Sequence, residues 1–235
     1  MVTAGKPGSG RSGRPRSGQE RLSREAILEA ALRIVDDEGL EAMTMRRLAS
    51  ILGVNPMSIY HHLPNKAAVF AGLAEVVFSQ VDIADAGHDL PWQDQLKDAA
   101  RAYRNALRAH PNLALQVVSD TSAVSEVVVA TVEPFYRALE RAGLSPRHIF
   151  EAVNTLVDFI HGFMLGEASV RAETFDLAPD LLARVSLLPA GKAPALRRAV
   201  EALGASGLQY DFDSGFETAL TLLANGITAT HPTPD

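Results

Sequence analysis

The sequence predicts an all-α fold. Apolar residues recur at the three- and four-residue spacing of helices over most of the chain, and the alternation typical of strands is nowhere sustained. Hydrophobic residues make up 47% of the 235 residues and charged residues 21%, a balance that is typical of a packed protein and excludes a disordered chain. The absence of cysteine excludes disulfides and thiolate metal sites and favours a reducing compartment. We therefore expect a cytoplasmic protein that holds no metal or cofactor.

The charge of the chain is unevenly distributed. Residues 1–70 contain ten Lys and Arg against seven Asp and Glu, a net charge of +3, whereas the whole chain has a net charge of −6. Binding of a polyanion depends on the local charge and not on the average. A polyanionic partner would therefore bind the first part of the chain.

Residues 1–20 are predicted to form a flexible basic arm. Gly and Ser are frequent there, and apolar anchors are absent. In the stretch Gly13-Arg14-Pro15-Arg16, the arginines Arg14 and Arg16 are candidates to enter a narrow, A/T-rich minor groove of DNA. A disordered, solubilising tail is the alternative interpretation of the same residues.

The first helix is predicted to begin after Ser23, which is placed to cap it, and to end at Gly39. Its apolar residues recur at helical spacing: Ile27, Ala30, Ala31, Ile34 and Val35. These residues form one stripe, so the helix is expected to bury that side.

A helix-turn-helix is predicted next. Thr44 precedes a helix over 45–52, which Gly53 ends. Asn55 caps a second helix that has Pro56 at its first position, where the missing N–H costs nothing. The residues expected to face inward are Leu48, Ala49, Leu52, Val54 and Ile59.

A fourth helix is predicted from Asn65 to about Ala84, connecting the small N-terminal unit to the rest of the chain. Beyond Pro91 seven more helices are predicted, at about 92–109, 111–120, 123–142, 146–169, 178–188, 192–204 and 212–228. Pro134 is expected to kink or split the third of these, because it cannot donate the helical hydrogen bond. The pattern is least regular between 170 and 207.

No signal peptide or membrane span is predicted. The first twenty residues contain no apolar stretch, and the most apolar later segment, 149–165, carries Asp158 and His161. We therefore expect no membrane partner.

The outward side of the helix-turn-helix carries side chains suited to DNA. They are Pro56, Met57, Ser58, Tyr60, His61 and His62, with Arg46, Arg47 and Lys66 beside them. A recognition helix presents short or flat polar groups to base edges in the major groove, while flanking residues bind phosphates. The stretch therefore predicts binding to double-stranded DNA, although Tyr60 could instead pack in the core.

Residues 23–70 resemble the DNA-binding domain of the tetracycline-repressor (TetR) family. The resemblance is carried by Ala30-Ala31, Gly39-Leu40, Thr44, Arg46, Leu48-Ala49, Leu52-Gly53-Val54, Ser58-Ile59-Tyr60, His62 and Asn65-Lys66-Ala67. It implies a three-helix DNA-binding domain over 21–67, with the helix-turn-helix, and a helical ligand-binding and dimerisation domain over 68–230.

The resemblance also implies roles for single residues on DNA. Arg46 would reach a base, and the other base-facing residues would be Pro56, Met57 and His61. The phosphate-binding residues would be Thr44, Ser58, Tyr60, His62 and Lys66. The base-facing positions differ from those of the tetracycline repressors themselves. We therefore expect a different operator sequence.

A homodimer is predicted from two wide apolar helices. The helix over 146–169 is apolar around most of its circumference, with Gly162 and Gly166 spaced for close backbone approach. The last helix carries a second wide stripe, formed by Phe212, Phe216, Leu220, Leu223 and Ile227. The resemblance implies that these helices form a four-helix dimer interface, so that two recognition helices about 34 Å apart read a pseudo-palindrome. A monomer with a wholly internal core is the alternative.

The resemblance further implies a small-molecule inducer that binds the C-terminal domain and releases the protein from its operator. Its identity is unknown, and the candidate ligand-binding residues are His110, Asn154, Asp158 and His161, polar side chains among apolar neighbours. Asn112 is a further polar group of this kind, and the possible walls of the site are Trp92, Tyr103 and Phe159. The function expected is that of a transcriptional repressor. A DNA-binding activator that needs no ligand is one alternative.

An enzyme is the second alternative. It would use His161 with Asp158 or Glu167, of which Asp158 shares a helical face with the histidine. No nucleophile motif or phosphate-binding loop accompanies these residues. We therefore predict that the protein is not an enzyme.

Overall fold

The computed structural model describes residues 22–79, 90–113, 126–171, 183–189, 191–207 and 210–230. All of the regular structure in these ranges is helical, which confirms the predicted all-α fold. The helices are α1 (Arg24–Glu38), α2 (Met45–Leu52), α3 (Pro56–Tyr60), α4 (Lys66–Ser79), α5 (Trp92–Ala109), α6 (Glu126–Arg141), α7 (Pro146–Arg171), α8 (Pro194–Gly207) and α9 (Phe212–Thr230). Short helical stretches also occur at 111–113 and 183–187.

Several sequence-based predictions fall outside the described residues. They include the N-terminal arm with Arg14 and Arg16 and the expected end of α4 near residue 84. Most of the predicted helix 111–120 and the first part of the predicted helix 178–188 are outside as well.

The first four helices form a unit that we call the head. Its core is made by one side of α1 together with α2, α3 and the buried face of α4. The fully buried residues at its centre include Ile27, Ile34, Leu48, Ile59 and Leu73. Four helices on one aliphatic core make a compact platform that holds α3 at its surface.

Helices α5, α6, α7 and α9, together with the C-terminal part of α4, form a second unit, which we call the body. In it α5 packs against α6, α7 and α9, and α4 packs against α5 and α6. Phe78, Phe135 and Phe216 are the largest side chains buried in its core. Helix α4 belongs to both units, because Val69 and Leu73 lie in the core of the head whereas Phe78 lies in the core of the body.

Pro134 was expected to kink or split the helix; it does not split it, and the kink stays a prediction. Helix α6 continues from Glu126 to Arg141 with the proline inside it. An internal proline costs about 3 kcal/mol through a lost hydrogen bond and a clash. The residues that follow, Phe135, Ala138 and Leu139, are all completely buried. Their burial offsets this cost and keeps the helix in place.

Helix α8 contains a break that the predicted end at residue 204 anticipates. Gly204 has φ 64° and ψ −178°, which are not helical angles, although helical residues follow it.

The part of α7 between Pro146 and Ala168 is long and apolar enough to cross a membrane by length and composition alone. That helix nevertheless packs on α5, α6 and α9 as a core helix of the body, with Leu156 and Ile160 buried.

Candidate nucleic-acid interface

Two side-chain hydrogen bonds and one left-handed glycine build the helix-turn-helix. The Thr44 hydroxyl oxygen accepts from the Arg47 N–H at 3.1 Å and caps α2. Gly53 ends α2 in the left-handed region, at φ 64° and ψ 30°, where a side chain would be strained. The Asn55 carboxamide oxygen then accepts from the Met57 N–H at 2.9 Å and caps α3. The predicted motif and its caps are confirmed.

The outer face of α3 is exposed as the sequence predicts. Ile59 is fully buried and anchors α3 on the head, whereas the Met57 side chain is 62% exposed. Tyr60 is 39% exposed, so the alternative position in the core is not adopted. The other predicted DNA-binding residues are exposed at Thr44, Arg46, His61, His62 and Lys66 and half-buried at Pro56 and Ser58.

Two neighbouring arginines on α2 differ in their surroundings. Arg47 donates to the Glu38 carboxylate at 2.7 Å, and this hydrogen bond raises the pKa of its guanidinium. Arg46 is exposed, and no ion pair joins it to a carboxylate among the described residues. Arg46 can therefore meet a base edge without first breaking an internal pair.

Helix α4 begins next to this surface. The Asn65 carboxamide oxygen accepts from the Ala68 N–H at 2.8 Å, which caps the helix. Lys66 lies with its Nζ 5.3 Å from the centre of the Phe70 ring, and its ammonium stays exposed. A phosphate oxygen placed there would meet both a cation and the N-terminal end of α4.

The structure does not bring the four predicted ligand-binding residues together. His110 lies at the junction of body and head, with its Nδ1 2.9 Å from the Asp36 carboxylate. Asn154 and Asp158 lie on the exposed side of α7, where the Asn154 carboxamide donates to its own helix. His161 alone reaches the core of the body.

His161 forms a pair with Tyr103, and this contact was not predicted from the sequence. Its Nε2 lies 2.9 Å from the Tyr103 hydroxyl, and the two ring centres are 5.8 Å apart. Burial lowers the pKa of His161, although Asp158 acts in the opposite direction, and burial raises the pKa of Tyr103. Tyr103 also contacts Phe78 of α4 and Phe135 of α6. The pair is therefore a neutral polar site in an aromatic environment.

A charged network joins three helices of the body. Arg104 of α5 is 5% exposed, and its Nη2 lies 2.8 Å from the Glu167 carboxylate of α7, which is 3% exposed. The Arg108 Nε lies 3.0 Å from the same carboxylate. Asp213 of α9 lies 2.8 Å from both guanidiniums, and its hydrogen bond with Arg104 is the largest cause of its lowered pKa. Arg104 and Arg108 are one helical turn apart on α5, but no sequence spacing relates them to Glu167 or Asp213.

The body also contains a second ion pair and an open cleft. Arg101 forms a bidentate pair with Glu217 at 2.7 Å beside the same network, and an open cleft of about 450 Å³ lies between these side chains. Within the ranges that the structure describes, no three His, Asp or Glu side chains are grouped as a metal site requires.

Two family models match the chain. Residues 27–73 match the model described as bacterial regulatory proteins of the tetR family, and residues 86–231 match the tetracyclin repressor-like C-terminal domain. Among curated proteins, the class D tetracycline repressor of Escherichia coli is 30% identical over 211 residues, which cover 86% of this chain and 92% of that protein.

Solved structures are similar over most of the length. ActR of Streptomyces coelicolor, solved in complex with actinorhodin, has a TM-score of 0.78 and 26% identity, covering 90% of this chain and 99% of its own. BioQ of Mycobacterium smegmatis, solved with its double-stranded DNA operator, has a TM-score of 0.63 and 27% identity, covering 89% and 99%.

Proposed function

The chain belongs to the tetracycline-repressor family of bacterial transcriptional regulators, and we propose that it is a cytoplasmic, homodimeric repressor that an inducer releases from a pseudo-palindromic operator. The observation that carries the proposal is the exposed outer face of α3, which is capped and anchored from below and flanked by Arg46 and Lys66. The relatives are named regulators and repressors, so the chain is a regulator and not an enzyme.

On DNA, the proposal gives α3 and its neighbours two roles. Arg46 reads a base edge in the major groove, and Pro56, Met57 and His61 face bases. Thr44, Ser58, Tyr60, His62 and Lys66 hold phosphates, which fix the orientation of α3. The Thr44 hydroxyl caps α2 through its oxygen and keeps its own proton to donate to a phosphate. Arg14 and Arg16 of the arm enter the adjacent minor groove.

The proposed dimer forms through α7 and α9. Only 28% of the most apolar stretch of α7 is buried within one chain. Phe150 of α7 is 54% exposed and Leu222 of α9 is 67% exposed. Gly162 and Gly166 lie on the exposed side of α7 with open space where a Cβ would stand. A second copy would cover these residues, and apolar surface removed from water stabilises the dimer by about 25 cal/mol per Å².

For the inducer, the proposal keeps His161 and adds Tyr103. Asn154 and Asp158 lie on the exposed side of α7 and belong to the proposed dimer surface. The Tyr103 and His161 pair offers a neutral donor and acceptor beside aromatic rings, which suits an uncharged or aromatic ligand with oxygen atoms. ActR, a structural relative, was solved in complex with actinorhodin, which supports the proposal of a small-molecule ligand.

Release of DNA would follow from the position of α4. Its residues contribute to the cores of both units, and Phe78 contacts Tyr103 directly, with ring centres 5.1 Å apart. A ligand that displaces Tyr103 would therefore move Phe78 and the C-terminal part of α4. The head follows α4, so the two recognition helices of a dimer lose their spacing.

The proposal is tested by selecting genomic fragments with the purified protein at about 150 mM salt, where non-specific binding is weakened. We expect a short motif with two-fold symmetry. The Arg46→Ala variant should bind that motif less tightly, whereas Arg198→Ala, a matched change at an exposed arginine of α8, should bind as the wild type does. Failure of the wild type to enrich any motif would contradict the proposal.

A further inference from the structure

Among the described residues, two segments of the chain carry side chains into the core of the head and also connect it to the body. The first is α4, which runs from one core into the other. The second is the segment 110–113, which follows α5 and docks on the end of α1. Leu113 is 1% exposed, and it lies in the hydrophobic core of the head although the chain before it belongs to the body.

Polar contacts hold this second attachment at the C-terminal end of α1. The Asn112 carboxamide donates to the Val35 carbonyl at 2.9 Å and lies 3.3 Å from the Asp36 carbonyl. The last four carbonyls of a helix have no partner from the regular helical pattern. The Val35 carbonyl also accepts from the Gly39 N–H at 3.0 Å, so Asn112 adds a second donor to it and a long contact to the Asp36 carbonyl. His110 adds a contact from its Nδ1 to the Asp36 carboxylate at 2.9 Å.

The two attachments restrict different movements. A unit held by one helix can still rotate about that helix. A second contact away from that helix removes this rotation. The first attachment contacts α1 through Gly72, whose position brings α4 against Leu28, whereas the second contacts the far end of α1 at Val35 and Asp36.

We propose that residues 110–113 form a second joint that fixes the angle of the head, and that His110 and Asn112 are positioning residues that determine which operator half-site spacing the protein accepts. The inference rests on the proposed dimeric DNA binding. It gives His110 a role between the two units, in place of the ligand contact expected from the sequence.

Half-site spacing is the property that this joint controls most directly. One added base pair moves a half-site by 3.4 Å along the duplex and turns it by about a tenth of a turn. A head held at one angle meets only one such arrangement well. A head that can swing meets several arrangements, each with lower affinity, while its contacts with the bases of a half-site stay the same.

The experiment compares three proteins by selection from random DNA: the wild type, the double variant His110→Gln/Asn112→Ala, and the control Asn105→Ala, an exposed asparagine of α5. We expect wild type and control to select palindromes with one dominant spacing. The double variant should select the same half-site bases with two or more spacings. Its affinity for the wild-type spacing should fall about five-fold, as expected for the loss of one or two net hydrogen bonds.

Two results distinguish a failure of this inference from a failure of the proposed function. The inference is overturned if the double variant keeps the single spacing, even when its thermal stability is lower, because a merely structural contact would change stability alone. A wild type that selects no palindrome would overturn the proposed function and this inference together. The single variant Asn112→Ala keeps the test available should the double variant not fold, with the same expected broadening to a smaller degree.

Discussion

Head and body are both helical, yet they are held together in different ways. In the head, the caps at Ser23, Thr44 and Asn55 each bind a backbone N–H two or three residues further along the chain. In the body, the decisive polar contacts join residues that are far apart in sequence, such as Arg104 with Glu167 and Arg101 with Glu217. The head is therefore specified by neighbouring residues, and the body by the packing of distant helices.

This difference has a functional consequence. A small domain with local caps and an aliphatic core can keep its shape while it moves as a unit. A body whose helices are tied by a buried ion pair can convert a change at one helix into a change at another. Under the proposed function, DNA reading therefore belongs to the head and the response to an inducer to the body.

The largest expected effect comes from breaking the network of the body. Arg104→Ala leaves the Glu167 carboxylate buried without its main partner, so we expect a loss of about 3–5 kcal/mol in the free energy of unfolding. Urea unfolding measures this loss. The control is Arg47→Ala, which removes an exposed pair with Glu38 in the head and should cost under about 0.5 kcal/mol. Equal effects of the two changes would contradict the distinction between head and body.

The next effect concerns DNA reading by the head. Arg46→Ala should weaken binding to the selected operator by about 1–3 kcal/mol and relax the preference at one base position. Arg47→Ala is the matched control, because Arg47 is already paired with Glu38. This variant should keep the base preference of the wild type, and any loss of affinity should be equal for all sequences. Titration of labelled operator duplexes that differ at single positions measures both, and identical base preferences in the two variants would count against Arg46 as a base reader.

A smaller effect is expected from the cap of the recognition helix. Asn55→Ala removes the acceptor of the Met57 N–H, and the loss of a helix cap costs about 1 kcal/mol. Asn55→Asp keeps an acceptor and should keep the stability of α3. Hydrogen exchange of the α3 amides, measured without DNA, reports the difference. Unchanged exchange in Asn55→Ala would show that the cap does not hold this helix.

The smallest effect is a pH dependence in the body. Because burial lowers the pKa of His161, the folded protein binds its proton only at a lower pH than the unfolded chain, which titrates near 6.5. The unfolded state thus gains protons first, and stability decreases as the pH falls from about 7 through this window. In His161→Gln the free energy of unfolding should depend less steeply on pH between about 7 and 5. Equal slopes in both proteins would contradict a neutral, buried His161.

The sequence was sufficient for most of the head and for the positions of the helices. Caps and apolar stripes act over a few residues, so the order of residues already contains them, as at Thr44, Gly53 and Asn55. The exposed face of α3 follows from the same stripes, because burial of Ile59 turns Met57 and His61 outward.

The contacts of the body could not be predicted in the same way. Tyr103 and His161 are 58 positions apart, and which helices meet depends on the packing of the whole unit. His110 shows the limit clearly. A histidine among apolar neighbours suggested a ligand contact, whereas the fold places it against Asp36 of the head. The helix continues through Pro134 for a similar reason, because tertiary burial outweighs the effect of a local helix breaker.

The central claim is that two heads, held by one dimeric body, read one operator. Titration of the selected operator against a duplex that contains a single half-site tests it most directly, at the same salt concentration and with the stoichiometry measured in each case. The account predicts two chains on each full operator and an affinity for the half-site that is lower by about 100-fold or more, because the second head binds at high effective concentration. One chain on each duplex, with equal affinity for the full operator and the half-site, would contradict it.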